Sequence, residues 1–252
     1  MPRPNRETPR ADGSTHCSPG NTPLWESSPL FSGLDECSLA RVQTAARRRV
    51  FQAGALIFAE EEACAGFHLV LDGLVRIYRI NGEGRLHTLS LLRPPSTFNE
   101  CAAVDGAANP FNAVAVTNAE VMVIPHDRLQ DLMATDRQLM YNTVQMLAHL
   151  NREYIERLED MTFRSIPSRL AKLFLHETTY ADQIADTPSQ LTQEEMASIL
   201  GTTREVVGRA LRNLLNAGLL RKRGRNFYIV DRVGLEVLAA TNLLPESLNT
   251  VR

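Results

Sequence analysis

The chain has 252 residues and a net charge of −2, from 27 Lys or Arg against 29 Asp or Glu. With 44% apolar and 22% charged residues, it reads as a globular protein large enough for one or two packed domains. No stretch approaches the roughly 20 apolar residues of a membrane span, and near-neutrality means that affinity for any polyanion must come from a local patch.

Residues 1–23, MPRPNRETPRADGSTHCSPGNTP, carry no apolar signal-peptide core and are rich in Pro, Gly, Ser and Thr, so they read as a disordered tail. Cys17, Cys37, Cys64 and Cys101 are scattered without a C-x-x-C pair. That argues against a structural zinc or iron–sulfur site and suits reduced thiols in a cytoplasm. SPLFSGLDECSLARVQTAARRRVF follows as a short helix pair leading into a strand. Asp35 or Ser38 would cap the second helix, with Leu39, Val42 and Ala46 apolar.

Six short apolar runs come next: ALIFAE, FHLVLDG, LVRIYRI, LHTLSLL, FNAVAV and AEVMVIP. Asp72-Gly73 and the NGEG of residues 81–84 are expected to turn hairpins between them. Many short strands without intervening helices point to a β-roll of jelly-roll type over residues 24–135. RPPSTFNECAAVDGAANPFN, residues 93–112, is too long and polar for a hairpin. Such an excursion can line an internal cavity, where Glu100 would face a ligand; alternatively Glu100 caps the short helix ECAAV.

After Pro125 the apolar period changes to three and four. Met140, Thr143, Leu147, Leu150, Tyr154, Leu158 and Met161 make a seam on a helix of about 26 residues, roughly 39 Å long. A small roll cannot cover that length, so the same helix of a second copy is expected to pack on it, with Leu147, Leu150, Tyr154, Leu158 and Met161 at the dimer interface. This dimerisation helix spans 136–163. A restart at FRSIPSRLAKLFL, with Pro167 in its first turn, makes Phe163 to Pro167 a hinge.

TPSQLTQEEMASILGTTREVVGRALRNLLNAGLL contains two helices and a tight turn. Thr192 caps the first and Glu195 completes a capping box. Gly201 supplies the turn, and Thr202 or Thr203 caps the second. Val206 or Val207, Ala210, Leu211, Leu214 and Leu215 are its core, which leaves Arg204, Glu205 and Arg209 on the other side. LLRKRGRNFYIV then reads as a two-stranded wing. Residues 204–225 hold seven Arg or Lys against one acid, Glu205. Arg matches the paired acceptors of guanine in the major groove and Glu accepts from a cytosine amino group. Arg204, Glu205 and Arg209 on the early turns are therefore placed to read bases. Thr202, Thr203, Gln193 and Arg223 surround them on the turn, the first helix and the wing, where turn and wing residues would hold phosphate. The winged helix-turn-helix spans 164–240, residues 241–252 form a C-terminal tail, and the fold class is α+β.

This order of parts resembles the bacterial family of the cyclic-AMP receptor protein and the fumarate–nitrate regulator. LFSGL, FHLVLDGLVRIYR, AVAVTNAEVMVIP, RLAKLFL and LTQEEMASILGTTREVVGRALRNL match in order over about residues 24 to 240. The resemblance implies a homodimeric transcription regulator on double-stranded DNA. It would read a palindrome of TGTGA-like half-sites and recruit or block RNA polymerase. Cyclic-AMP binders of the family are similar in a Gly-Glu pair, a later Arg-Ser or Arg-Thr pair that holds the cyclic phosphate, and polar residues on the long helix. Here the positions hold Asn99-Glu100, then Pro110-Phe111-Asn112, then Tyr154-Ile155. Without the Arg a buried phosphate would lack a partner, so cyclic AMP is not expected to bind in the usual way.

Cys17 and Cys37 are too sparse for the [4Fe–4S] cluster of the oxygen-sensing branch. Haem sensing of nitric oxide or carbon monoxide stays as an alternative, with His68, His87, His126 or His149 as axial ligand. So do a thiol switch at Cys64 or Cys101, a regulator that needs no ligand, and a cyclic-nucleotide-type module that docks on a protein partner. No G-x-S-x-G, P-loop or H-E-x-x-H motif supports an enzyme.

Overall fold

Two four-stranded antiparallel sheets make up most of the N-terminal half in the computed structural model, which describes residues 28–180 and 191–243. The expected N-terminal tail, Cys17 and residues 244–252 lie outside the described residues. One sheet has the order β1 (Arg47–Phe51), β8 (Ala119–Ile124), β3 (Phe67–Asp72), β6 (Thr97–Phe98). The other runs β2 (Leu56–Phe58), β7 (Asn112–Ala115), β4 (Val75–Ile80), β5 (Leu86–Leu92). Alternation along β3 explains why its run is apolar throughout. His68 and Val70 face the space between the sheets with Phe58, Ile77, Phe98 and Val121, whereas Phe67 and Leu69 face a helical layer with Phe31, Val42, Ile124 and Leu129. Both faces of this strand are buried.

The NGEG segment turns the β4–β5 hairpin, with Asn81 Oδ1 accepting from the Glu83 and Arg85 amides at 3.0 and 2.9 Å. Asp72-Gly73 does not turn a hairpin. β3 pairs with β8 and β6, and β4 with β5 and β7, so this turn carries the chain from one sheet to the other. Gly73 sits at φ +83°, and a Cβ there would collide with the Asn118 carbonyl. The two-residue strand β6 was not anticipated; it lies inside the 93–112 excursion, followed by α2 (Glu100–Asp105).

The helical layer holds a 3-10 turn at Pro29–Phe31, α1 (Glu36–Ala45), α3 (His126–Thr135) and the first turns of α4 (Arg137–Phe163). Asp35 caps α1 by accepting from the Ser38 amide at 2.7 Å. Asp136 caps α4 through the Leu139 amide at 3.0 Å and pairs with Arg41 at 3.2 Å. Asn142 ties α4 to the N-terminal turn by donating to the Leu30 and Ser32 carbonyls. α4 has 27 residues and is about 40 Å long, so its second half runs past the helical layer, with Arg157 donating to the Leu89 carbonyl of β5 at 3.0 Å. No helix among the described residues is long and apolar enough to cross a membrane.

A second core unites α5 (Ile166–Tyr180), α6 (Gln193–Leu200), α7 (Arg204–Asn216), the hairpin β9 (Leu220–Arg223) and β10 (Asn226–Ile229), and α8 (Arg232–Thr241). Phe174 of α5 meets Phe227 of β10 edge-on at 6.1 Å. α8 was not foreseen; Asp231 caps it through the Gly234 amide at 2.8 Å, and Leu235, Leu238 and Ala239 are buried. The two halves meet where α6 lies on β5. Ser198 Oγ accepts from the Thr88 amide at 3.0 Å and donates to the Leu86 carbonyl at 3.2 Å, while His87 Nδ1 donates to the Ser198 carbonyl at 2.7 Å.

Candidate nucleic-acid interface

The helix-turn-helix is built from local signals. Thr192 Oγ1 accepts from the Glu195 amide at 3.2 Å, and Glu195 Oε2 accepts from the Thr192 amide at 2.7 Å, closing the capping box of α6. Gly201 ends that helix in the left-handed region at φ +61°. Thr203, not Thr202, is the N-cap of α7; its hydroxyl accepts from the Val206 amide at 3.4 Å. Val207, Ala210, Leu211 and Leu214 are buried.

That anchoring leaves Arg204, Glu205, Arg209 and Arg212 exposed on the opposite face. The backbone amide at Glu205 and the Thr203 hydroxyl hold the Glu205 carboxyl below its usual range, so it is ionised at neutral pH. Gln193, on the first turn of α6, lies beside Gly208, where a Cβ would sit 3.6 Å from its Oε1. Thr202 lines a cavity of about 480 Å³ with Arg79, Arg85, His87 and Met161. On the wing, the Arg221 and Arg223 guanidinium groups lie 5.8 and 6.0 Å from the Tyr228 ring centre, and Lys222 lies 5.7 Å from that of Phe227. The aromatic strand thus supports an exposed row of cations continuous in sequence with α7.

The apolar seam of α4 differs in phase from the sequence expectation at two positions. Thr143 is buried in its own subunit at 2% exposure, its hydroxyl donating to the Leu139 carbonyl. The exposed large apolar residues of α4 are Met140, Tyr141, Val144, Tyr154, Ile155, Leu158, Met161 and Phe163, and among them Val144, Tyr154, Leu158 (65% exposed) and Met161 fall on one line. Together with half-buried Leu147 and exposed Asn151 they space as three, four, three, four, three, the a/d pattern of a two-stranded coiled coil. Leu150 is half-buried beside this line. Asn151 is its one polar position, and a hydrophobicity count along the sequence passes over it.

The candidate effector residues are not all brought together. Asn99 takes a left-handed conformation at φ +64° and donates to the Gly66 carbonyl and to Asn109 Oδ1, both at 3.0 Å. Glu100 is 8% exposed and accepts from the Thr97 hydroxyl at 2.5 Å. It therefore occupies the first turn of α2 while its side chain turns into the roll. Burial pushes its carboxyl up and Glu153 of α4 adds to the effect. Burial also raises the Tyr154 phenol, with the Glu100 charge next in effect. Phe111 packs on Phe58 at 5.9 Å, and Phe58 in turn stacks on Phe98. Asn112 belongs elsewhere. It accepts from the Glu60 amide at 3.1 Å and donates to the Tyr78 carbonyl at 3.5 Å.

His68 completes the aromatic cluster, 4.8 Å from Phe98, with Nδ1 donating to the Gly66 carbonyl at 2.9 Å. Burial lowers its pKa from 6.5 to about 4, so it is neutral at pH 7. The unfolded chain protonates His68 below about 6.5 and the folded chain resists, so stability is expected to fall by a few kcal/mol as pH drops from 6.5 towards 4. Urea unfolding at pH 7 and pH 5 checks this; His68→Phe is expected to flatten the pH dependence. The three other candidate axial histidines also have an engaged ring nitrogen: His87 on Ser198, His126 on the Ala103 carbonyl at 2.8 Å, and His149 near Glu153 at 3.3 Å. Among the described residues no group of three His, Cys, Asp or Glu could hold a metal ion. The Cys64 thiol donates to the Ala102 carbonyl at 3.1 Å, and Cys101 is exposed.

Two family models match this chain. One describes a cyclic nucleotide-binding domain, over residues 48–136, and the other a Crp-like helix-turn-helix domain, over residues 168–238. The chain is 30% identical to a cyclic AMP receptor protein of Thermus thermophilus, across 77% of this chain and 88% of that protein. It is 26% identical to a CRP-like cAMP-activated global transcriptional regulator of Mycobacterium tuberculosis, across 80% and 92%. A solved structure of a CRP/FNR-family transcriptional regulator from Thermus thermophilus superposes with a TM-score of 0.61 at 24% identity, covering 77% of this chain and 99% of that one.

Proposed function

We propose, because this chain belongs to the CRP/FNR family of transcription regulators, that two copies pair along α4 and bind a palindromic, TGTGA-like operator through α7. The observation that carries this reading is the division of α7. One face is locked into the C-terminal core, and the other presents Arg204, Glu205 and Arg209 next to a cationic wing. Helices held this way enter the major groove with their early turns against base edges. The turn and the wing, with Thr202, Thr203, Gln193 and Arg223, then hold the flanking backbone. On promoters in the cytoplasm such a dimer would act by engaging or excluding RNA polymerase. Fluorescence anisotropy on a labelled palindromic duplex tests the reading. Saturable binding that a single half-site matches only weakly is expected; equal affinity for scrambled duplex would contradict it.

The roll senses something other than cyclic AMP in this proposal. Phe111 stands where a phosphate-holding arginine is found in cyclic-AMP binders, and it packs into the aromatic cluster of Phe58, Phe98 and His68. Desolvating an anion without a cationic partner costs several kcal/mol. Calorimetric titration with cyclic AMP is expected to give no heat at micromolar concentrations, and micromolar binding would overturn this part of the proposal.

A further inference from the structure

The break between α4 and α5 is held by the far end of the chain. α4 ends at Phe163 and α5 begins at Ile166, so the last carbonyls of one helix and the first amides of the other lack partners within their own helices. Asn242 lies 77 positions beyond Ser165 and spans the gap with one side chain. Its Nδ2 donates to the Phe163 carbonyl at 3.0 Å and its Oδ1 accepts from the Ser165 amide at 3.0 Å. It is also the left-handed cap of α8 at φ +62°, its amide donating to the Leu238 carbonyl at 3.1 Å, a place that Asn takes readily.

A second set of contacts converges on the same place from the opposite side. Arg164, at the break, donates to the Ala239 carbonyl and, at 3.3 Å, to the Ala240 carbonyl at the C-terminal end of α8. The buried Ser168 hydroxyl also donates to Ala239 O, at 3.3 Å. A guanidinium against the last carbonyls of a helix is favoured by its dipole. Arg164 Nε also pairs with Asp160 of α4 at 2.6 Å, and Asp160 accepts from Lys172 of α5 at 2.5 Å. Thus α4, α5 and α8 meet in one polar knot, with Asp160 and Asn242 each touching both sides of the break.

We propose that Asn242 and Arg164 form a clamp that fixes the angle between the long helix and the DNA-binding half, which makes Asn242 a positioning residue for operator binding. The proposal rests on the DNA-binding reading above. In a dimer joined along α4, the angle at residues 163–166 sets the separation of the two α7 helices. Two rigidly held heads bind one half-site spacing far better than its neighbours; loosened heads tolerate several. Two ordinary hydrogen bonds correspond to about tenfold in the equilibrium between held and released states.

The test is a spacing series with the full-length protein: palindromic duplexes in which the half-site separation changes one base pair at a time. Asn242→Gly keeps the left-handed backbone and removes the bridge. Asn242→Asp keeps the acceptor for Ser165 and loses the donor to Phe163. The native protein is expected to show one preferred separation, Asn242→Gly to lose about tenfold of that selectivity, and Asn242→Asp to fall between. Affinity for an isolated half-site, and the midpoint of thermal unfolding, should change little in either variant. A general loss of stability would lower affinity at every spacing and leave the profile's shape intact. That result, or native selectivity in Asn242→Gly, would overturn the clamp. Failure of the native protein to bind any duplex would instead sink the DNA-binding reading.

Discussion

Leu158→Arg is expected to turn a dimer into monomers and to weaken operator binding by about 100-fold or more. Leu158 is 65% exposed on α4, more than three turns past Met146, the last residue of the helix packed against the roll's helical layer, with Tyr154 and Met161 one turn to either side. In a parallel pair it would face its own copy. Substitution would place two like charges in the middle of an apolar seam, which neither ion pairing nor water relieves. Because each half-site is held by one α7, loss of the pair converts an intramolecular second contact into an independent one. Sedimentation equilibrium reads the mass and anisotropy reads the affinity. The α4 assignment is contradicted if the variant keeps the native mass at micromolar concentration.

Arg209→Ala and Arg204→Ala are expected to cost about 1–3 kcal/mol each in operator affinity, roughly 5- to 150-fold, with relaxed preference at one base pair per half-site. Both guanidinium groups are exposed on a helix whose other face is fully packed, so truncation should leave stability almost unchanged. Arg223→Ala separates the roles. As a wing cation against phosphate, it should weaken binding to all sequences alike and lower the slope of log affinity against log salt by about 1. Titrations at several salt concentrations on matched and mismatched duplexes distinguish the two classes. Equal losses on matched and mismatched duplexes for Arg209→Ala would reassign that residue to the backbone.

Features written in adjacent residues were legible in the sequence. The Thr192–Glu195 capping box, the left-handed Gly201, the Asn81 turn and the apolar period of α7 each need only a few neighbouring residues to form. Features that depend on distant partners were not. Asp72-Gly73 looks like a hairpin turn, but β3 and β4 find their partners in different sheets. The two-residue β6 owes its existence to β3, and α8 to a core supplied by α5 and the wing.

The phase of the α4 seam shows the same limit. Periodicity marks Thr143 and Leu150 as apolar-facing, yet Thr143 is consumed by the roll's own helical layer, which moves the free line onto Val144 and Asn151. In the effector region, Phe111 and Asn112 are neighbours in sequence but go to opposite surroundings, the aromatic cluster and the Glu60–Tyr78 edge. Nothing near Phe163 in the sequence announces Asn242 as its partner.

Selection from a pool of random duplexes with the purified full-length protein bears most directly on two copies reading one symmetric site. The enriched sequence is expected to be an inverted repeat whose TGTGA-like halves lie one helical turn apart, about 34 Å between centres. An unsymmetric enriched motif, or no enrichment over the starting pool, would contradict paired recognition by α7.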